Sequence, residues 1–230
     1  CRRRSGRRVN FVQWLNSLDE FLYELMSWLV FYPLTLWRIL RHPLTTMRYA
    51  EDQLRLEQEC QYRATVSPPV MLILTIVLIQ GLGLAVDGSN AIIGRRHGLA
   101  SLVDDNTTLL FLRLALFGTF ALVLAARKVH RSAEDLDRDT LKPAFYAQCY
   151  AISPFALLLG GGLSAAAHFR GEVQLAGLAA ILAAFLFYGI VQIRWFRQAL
   201  RQSAWRSFLD ASIGMIVSIA ATVTIALLFA

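Results

Sequence analysis

Three sets of residues in this chain are of types that could do chemistry. They are the histidines and cysteines, one acidic run, and a few polar side chains inside apolar stretches. Histidine and cysteine ligate metals or act as bases and nucleophiles when they converge. His42, His97, His130 and His168 are far apart, as are Cys1, Cys60 and Cys149. Neither a metal centre nor a disulfide scaffold is expected. Glu134, Asp135, Asp137 and Asp139 form the densest acidic run. Arg131 with Asp135, and Glu134 with Arg138, are four residues apart, which predicts a solvated, salt-bridged helix and not a cation site. Asp87-Gly88 opens like a CDP-alcohol phosphotransferase motif, but the arginine and the downstream paired aspartates of that motif are missing. The sequence contains no G-x-S-x-G, H-E-x-x-H, P-loop or C-x-x-C pattern. No catalytic residue, cofactor or nucleic-acid partner is expected.

The third set is more informative. Arg113 lies about one turn inside an apolar run, where it could snorkel to the membrane edge or pair with Asp104 or Asp105. Gln80, Gln148 and Gln192 are amides inside other apolar runs, and such groups bridge helices more often than they bind solutes. Tyr150-Ala151-Ile152-Ser153-Pro154 puts a proline inside a helix, where it removes one hydrogen bond and predicts a kink. Gly160-Gly161-Gly162 follows, with small residues four apart at Ser164, Ala165 and Ala166. Ala176, Ala180 and Ala184 form a second small-residue row, and Gly214, Ser218 and Thr222 a third. Such rows let helices approach closely.

The elements carrying these residues are helices in a bilayer. The chain has 230 residues, of which 56% are hydrophobic and 17% charged, and its mean hydropathy is +0.48. That composition exceeds what one water-soluble domain of this length can bury. Five stretches are long enough to cross: Pro69 to Val86, Leu109 to Ala126, Ala144 to Ala167, Val173 to Ile193 and Ala211 to Ala230. Backbone groups in lipid must be satisfied within the segment, and no alternating barrel pattern occurs, so an all-α fold is expected. Residues 67–230 form the predicted five-helix transmembrane domain, and residues 1–66 a cytoplasmic N-terminal region.

Charge sets the threading. Ten basic residues precede the first span, five lie between spans two and three, and four between spans four and five. That alternation predicts an N-terminus in the cytoplasm and a C-terminus outside. It also accounts for the +7 net charge without nucleic acid. Trp14, Trp28, Trp37, Trp195 and Trp205 all fall on the predicted cytoplasmic side. Trp37, Arg38, Arg41, Trp195 and Arg197 are read as interfacial contacts to lipid, with anionic lipid a suitable partner.

Phe11, Trp14, Leu15, Leu18, Phe21, Leu22, Leu25, Met26 and Leu29 recur at helical spacing, with polar residues opposite. This predicts an amphipathic helix leading into the 13-residue apolar run Leu25 to Trp37. That run is too short to span and contains Pro33, so it is read as interfacial. Treating it as a sixth span would bury Glu24 and reverse the charge pattern. His42-Pro43 should end the segment. Thr45 to Arg63 is expected to be a short polar helix with Glu51–Arg55 and Glu59–Arg63 pairs. No apolar run precedes this region, so no cleavable signal peptide is expected.

The layout resembles the Yip1 family, in its bacterial Yip1-domain, permease-like branch. The resemblance rests on Leu36 to Leu44 (LWRILRHPL), on Ser67-Pro68-Pro69 before the first span, and on Tyr150 to Pro154 in the third. It covers Trp28 to Ala230, and the amphipathic stretch Phe11 to Val30 has no place in it. It implies a noncatalytic membrane protein, linked in eukaryotes to vesicle traffic through partner binding. With 21 Arg against 2 Lys, the chain reads as the product of a GC-rich bacterial gene, so the vesicle role does not transfer. The function expected is scaffolding or assisting a larger membrane assembly, through other membrane proteins or self-association, or lipid organisation in the bacterial inner membrane. The alternative is a small transporter or channel subunit with a polar cleft at the kinked third span. A lipid-modifying enzyme would need an acid, a base and a nucleophile converging at one interface.

Overall fold

The computed structural model describes residues 11–87, 106–132 and 135–228. Among the described residues there are seven α-helices and one 3-10 turn, Gln58–Cys60, and no strand. The helices are α1 (Phe11–Arg41), α2 (Pro43–Gln53), α3 (Pro68–Asp87), α4 (Asn106–Arg131), α5 (Arg138–His168), α6 (Glu172–Ala199) and α7 (Ala204–Leu228). Five of them, α3 to α7, are long and apolar enough to cross a membrane.

The helix ends follow local chemistry. α1 remains helical through Pro33 and stops at Arg41. Pro43 drives the residue before it out of helical geometry, and it sits in the first turn of α2, where a missing amide proton costs nothing. Asp137 caps α5 by accepting from the amides of Asp139 and Thr140, at 2.9 and 2.8 Å. Thr140 returns a bond to the Asp137 amide, closing a capping box. The α5–α6 turn passes through Gly171 at φ +69°, a left-handed conformation that suits glycine.

Helix α5 is the central post, packing against α1, α2, α3, α4 and α6. Its side chains are buried almost continuously from Ala147 to Ala156. The main core gathers Ile76, Leu124, Phe155, Tyr188 and Phe196 from α3 to α6, with Met47 of α2 and Ala211 of α7 included. A smaller cluster joins Ile39, Met71 and Tyr150 where α1 meets the bundle. The end carrying α1 and α2 is called proximal below, and the opposite end distal.

Two local expectations are corrected. Thr45 to Arg63 is not one helix, because α2 ends at Gln53 and the chain turns back. The Gln53 side chain accepts the Tyr62 amide at 2.8 Å, and the Tyr62 hydroxyl donates to the Ala50 carbonyl at 2.9 Å. These bonds hold Tyr62 at φ +53° and aim Thr65 and Val66 at Tyr150. Long-range contacts override a local helical preference there. Nor is the acidic run a salt-bridged helix: α4 ends at Arg131, α5 starts at Arg138, and Asp137 is spent as a cap. Residues 133–134, and with them the Glu134–Arg138 pair, lie outside the described residues.

Candidate functional site

Between α3, α4, α5 and α7, in the distal half of the bundle, lies a cavity of about 510 Å³. That volume is within the roughly 300–1,000 Å³ of ligand pockets. Small residues shape it. A Cβ on Gly160 would lie 2.6 Å from Ile79 of α3, and one on Gly162 would lie 2.8 Å from the Gly177 carbonyl of α6. The glycine run thus draws α5 against α3 and α6. The space left open faces α4 and α7.

The walls are leucine and phenylalanine, and the floor is Phe120, Phe155 and Phe185. Beneath the floor the bundle is plugged. Phe155 stacks on Tyr188 with ring centroids 4.7 Å apart, and the Tyr188 hydroxyl bonds Gln148 Oε1 at 3.2 Å. Gln148 and Gln192 donate to each other at 2.9 and 2.8 Å and are fully buried. These two amides bridge α5 and α6, as amides in apolar helices tend to, and they do not line the cavity.

Polar groups gather toward the distal mouth. Arg113 lines the cavity and donates to Gln80 Oε1 of α3 at 2.7 Å. His168 also lines it, with Nδ1 3.0 Å from the Ser164 carbonyl oxygen. Asp104 and Asp105, considered above as partners for Arg113, lie outside the described residues.

Two hydroxyls stand out. In the spans, Thr75, Thr119, Ser153, Ser218 and Thr224 each donate to the carbonyl one turn earlier. Ser164 Oγ and Thr222 Oγ1 are buried and have no hydrogen-bond partner. Both residues line this cavity, from α5 and α7 respectively, with their oxygens covered. A buried unsatisfied hydroxyl costs about 1–3 kcal/mol. Sequence reading marked Ser164 and Thr222 only as small-residue seam positions. Hydropathy cannot tell a hydroxyl bonded to its own helix from one buried without a partner.

The proximal end is built differently. Asp210 of α7, 4% exposed, receives Arg127 at 2.7 Å, Arg131 at 3.3 Å and the Gln202 amide at 2.9 Å. Arg131 was expected to pair with Asp135 along the chain, and this carboxylate takes it instead. Glu51 pairs with Lys128 of α4 at 3.3 Å, not with Arg55, which meets Asp52 at 3.4 Å on the surface. Burial pushes the Glu51 carboxyl up, and the Lys128 ammonium pulls it partly back. The Glu59 side chain lies outside the described residues, and Arg63 reaches Cys60 Sγ at 3.3 Å.

The predicted interfacial set divides. Trp37 is exposed, with the Arg41 guanidinium 5.7 Å over its ring, and Arg197 is exposed. Arg38 is exposed and donates to the Ala64 carbonyl at 3.0 Å, clamping the chain before α3. Trp195 is a correction. It is 3% exposed, sits in the main core and carries Lys128 5.7 Å over its ring. It cannot meet lipid, because it faces α4 and not the bundle's outside. Tyr150 is fully buried and donates to the Val66 carbonyl at 2.6 Å. Pro154 is buried within α5, which continues as helix past it. A second, more polar cleft at the proximal end is lined by Trp28, Tyr62, Arg63 and Tyr146.

Comparison with protein-family models, curated proteins and solved structures finds no match to this chain.

Proposed function

We propose that this chain is a noncatalytic membrane protein that holds a lipid-like molecule in its distal cavity and so serves lipid organisation in the membrane. The observation that carries the reading is the cavity itself, of about 510 Å³ and lined mostly by apolar side chains, with Arg113 and His168 among its lining residues. Conduction fits less well, since the stacked Phe155–Tyr188 pair and the Gln148–Gln192 bridge block the way to the proximal end. The orientation proposed is proximal end in the cytoplasm, distal end outside, in a bacterial inner membrane, on the strength of the arginine distribution. The exposed apolar face of α1, including Met26, Leu29 and Trp37, suits an in-plane helix at the inner headgroup layer beside anionic lipid, or contact with another membrane protein. Membership of the Yip1 family is part of the same proposal and is supported by the five-span layout.

The test is native mass spectrometry of the full chain released from bacterial membrane nanodiscs. One retained lipid-sized adduct per chain is expected. Leu116→Trp and Leu159→Trp, which fill the cavity from α4 and α5, should each abolish it. An adduct that survives both, or none in the unmodified protein, defeats the reading.

A further inference from the structure

The cavity is held shut on one side and open on the other, and glycines decide which. At the distal level α5 grips α6, where a Cβ on Gly177 would lie 2.7 Å from the Ala166 amide nitrogen. It grips α3 through Gly160. The close approach of α7 comes lower in the bundle. A Cβ on Gly214 would lie 2.5 Å from Leu124 of α4, and Asp210, with its arginines, sits one turn further toward the proximal end. Past Ser218, which is buried, the cover is lost. No residue of α7 within 219–225 is buried as a whole, and none of α4 within 110–119. A helix packed along its length buries a side chain in each turn of 3.6 residues. These stretches run for about two and three turns without one. Helix α7 is therefore pinned in its proximal half and stands off in its distal half. Ile219 and Val223 line the cavity and are 39% and 49% exposed, so the cavity opens sideways along α7.

Depth and volume narrow what enters there. At 1.5 Å per residue, Leu112 and Leu163 lie about 8 Å below the distal ends of α4 and α5. Phe120 and Phe185, at the floor, lie about 20 Å below the distal ends of α4 and α6. The difference is close to one leaflet's share, about 15 Å, of the hydrocarbon core. A single turn of helix, 10–12 Å wide, fills about 400–600 Å³. The cavity of about 510 Å³ thus takes one turn at most, whereas a crossing helix from a second copy or another protein has more than five. An acyl chain is slender enough to enter along its whole length.

Resting on the cavity reading above, we infer that the guest is one acyl chain of a phospholipid of the distal leaflet, which enters sideways past the distal half of α7. The chain lies along Leu116 and Phe117 and ends near Phe120. The glycerol, the second chain and the head stay in the bilayer. The site therefore selects for a chain at this depth and is indifferent to the size of the head.

Photolabelling tests this on the full chain in phosphatidylcholine nanodiscs. Three probes carry a diazirine at the same carbon near the chain end: phosphatidylcholine, a phosphatidylethanolamine whose head bears a long poly(ethylene glycol), and hexadecanol. The site read by peptide mass spectrometry is Phe120, which lines the cavity and is only 7% exposed. The two phospholipids are expected to label it equally, within about twofold. Leu116→Trp, which fills the cavity, should remove both labels, and a label that survives it comes from outside and overturns the inference. The comparison of heads needs no variant, so a misfolded Leu116→Trp does not block the test. Labelling by phosphatidylcholine but not by the polymer-headed lipid overturns sideways entry of a chain alone while the cavity reading stands. So does labelling by hexadecanol with neither phospholipid. Failure of all three probes to label Phe120 overturns both.

Discussion

The two ends of this bundle solve the burial of polar groups in opposite ways. At the proximal end every notable polar group is answered: Asp210 by two arginines and an amide, Glu51 by Lys128, Tyr150 by the Val66 carbonyl. At the distal end two hydroxyls are buried without partners beside a cavity. An end that spends its polar groups on itself is built for rigidity. The distal end pairs Arg113 with Gln80 yet leaves two hydroxyls without a bond, and on the proposed reading the cavity beside them is where a guest sits.

The largest expected effect breaks the anchored side. Asp210→Ala leaves Arg127 and Arg131 without their carboxylate and should lower stability by about 3 kcal/mol, at the low end for a broken buried pair because Arg131 is partly exposed. Thermal unfolding in detergent measures it, and a change under 1 kcal/mol would remove Asp210 from its role as anchor. Gln148→Leu comes next, at about 2 kcal/mol, because Gln192 and the Tyr188 hydroxyl are left facing hydrocarbon. The double change Gln148→Leu with Gln192→Leu should recover part of that loss, and an additive loss would show that the amides do not act as a pair.

The distal side should respond with the opposite sign. Ser164→Ala removes a hydroxyl that has no partner, so it should raise the stability of the protein by about 1 kcal/mol. Destabilisation by this change would sink the contrast between the two ends. The smallest effect concerns pH at the proximal end. Bonds from Thr140, its amide foremost, hold the exposed Asp137 carboxyl below the usual aspartate value. A depressed carboxyl contributes stability that is present above the ordinary value and lost as pH falls through the folded one. Amide exchange in the first turn of α5 should therefore quicken on acidification below the usual aspartate range, and Asp137→Asn should flatten that dependence.

Much of the fold was legible in the chain because hydropathy is a local property. The five spans begin and end within a few residues of where composition puts them, extended at polar ends such as Arg127 to Arg131 and Arg194 to Ala199. The Gln148–Gln192 bridge was legible as a class of contact, since an amide in lipid must find another polar group. The charge pairs were not. Spacing rules predict Glu51 with Arg55 and Arg131 with Asp135, yet Glu51 meets Lys128 and Arg131 meets Asp210, each from a distant helix. A pair within one exposed helix contributes a few tenths of a kcal/mol, so any half-buried alternative displaces it. Trp195 was misread for a related reason: its position along the chain indicates depth in the membrane but not which way the ring turns.

From the residues alone come the solvent, the number of crossings and the breaks between helices, since each depends on a run of neighbours or on a proline or glycine at one position. The cavity depends on how α5 leans against α3 and α6 through Gly160 and Gly162, and the burial of the Ser164 and Thr222 hydroxyls on how α5 and α7 are rotated. Rotation about a helix axis costs almost nothing locally and is decided by the sum of contacts among packed helices, so only the tertiary structure decides which polar groups are satisfied and which are not.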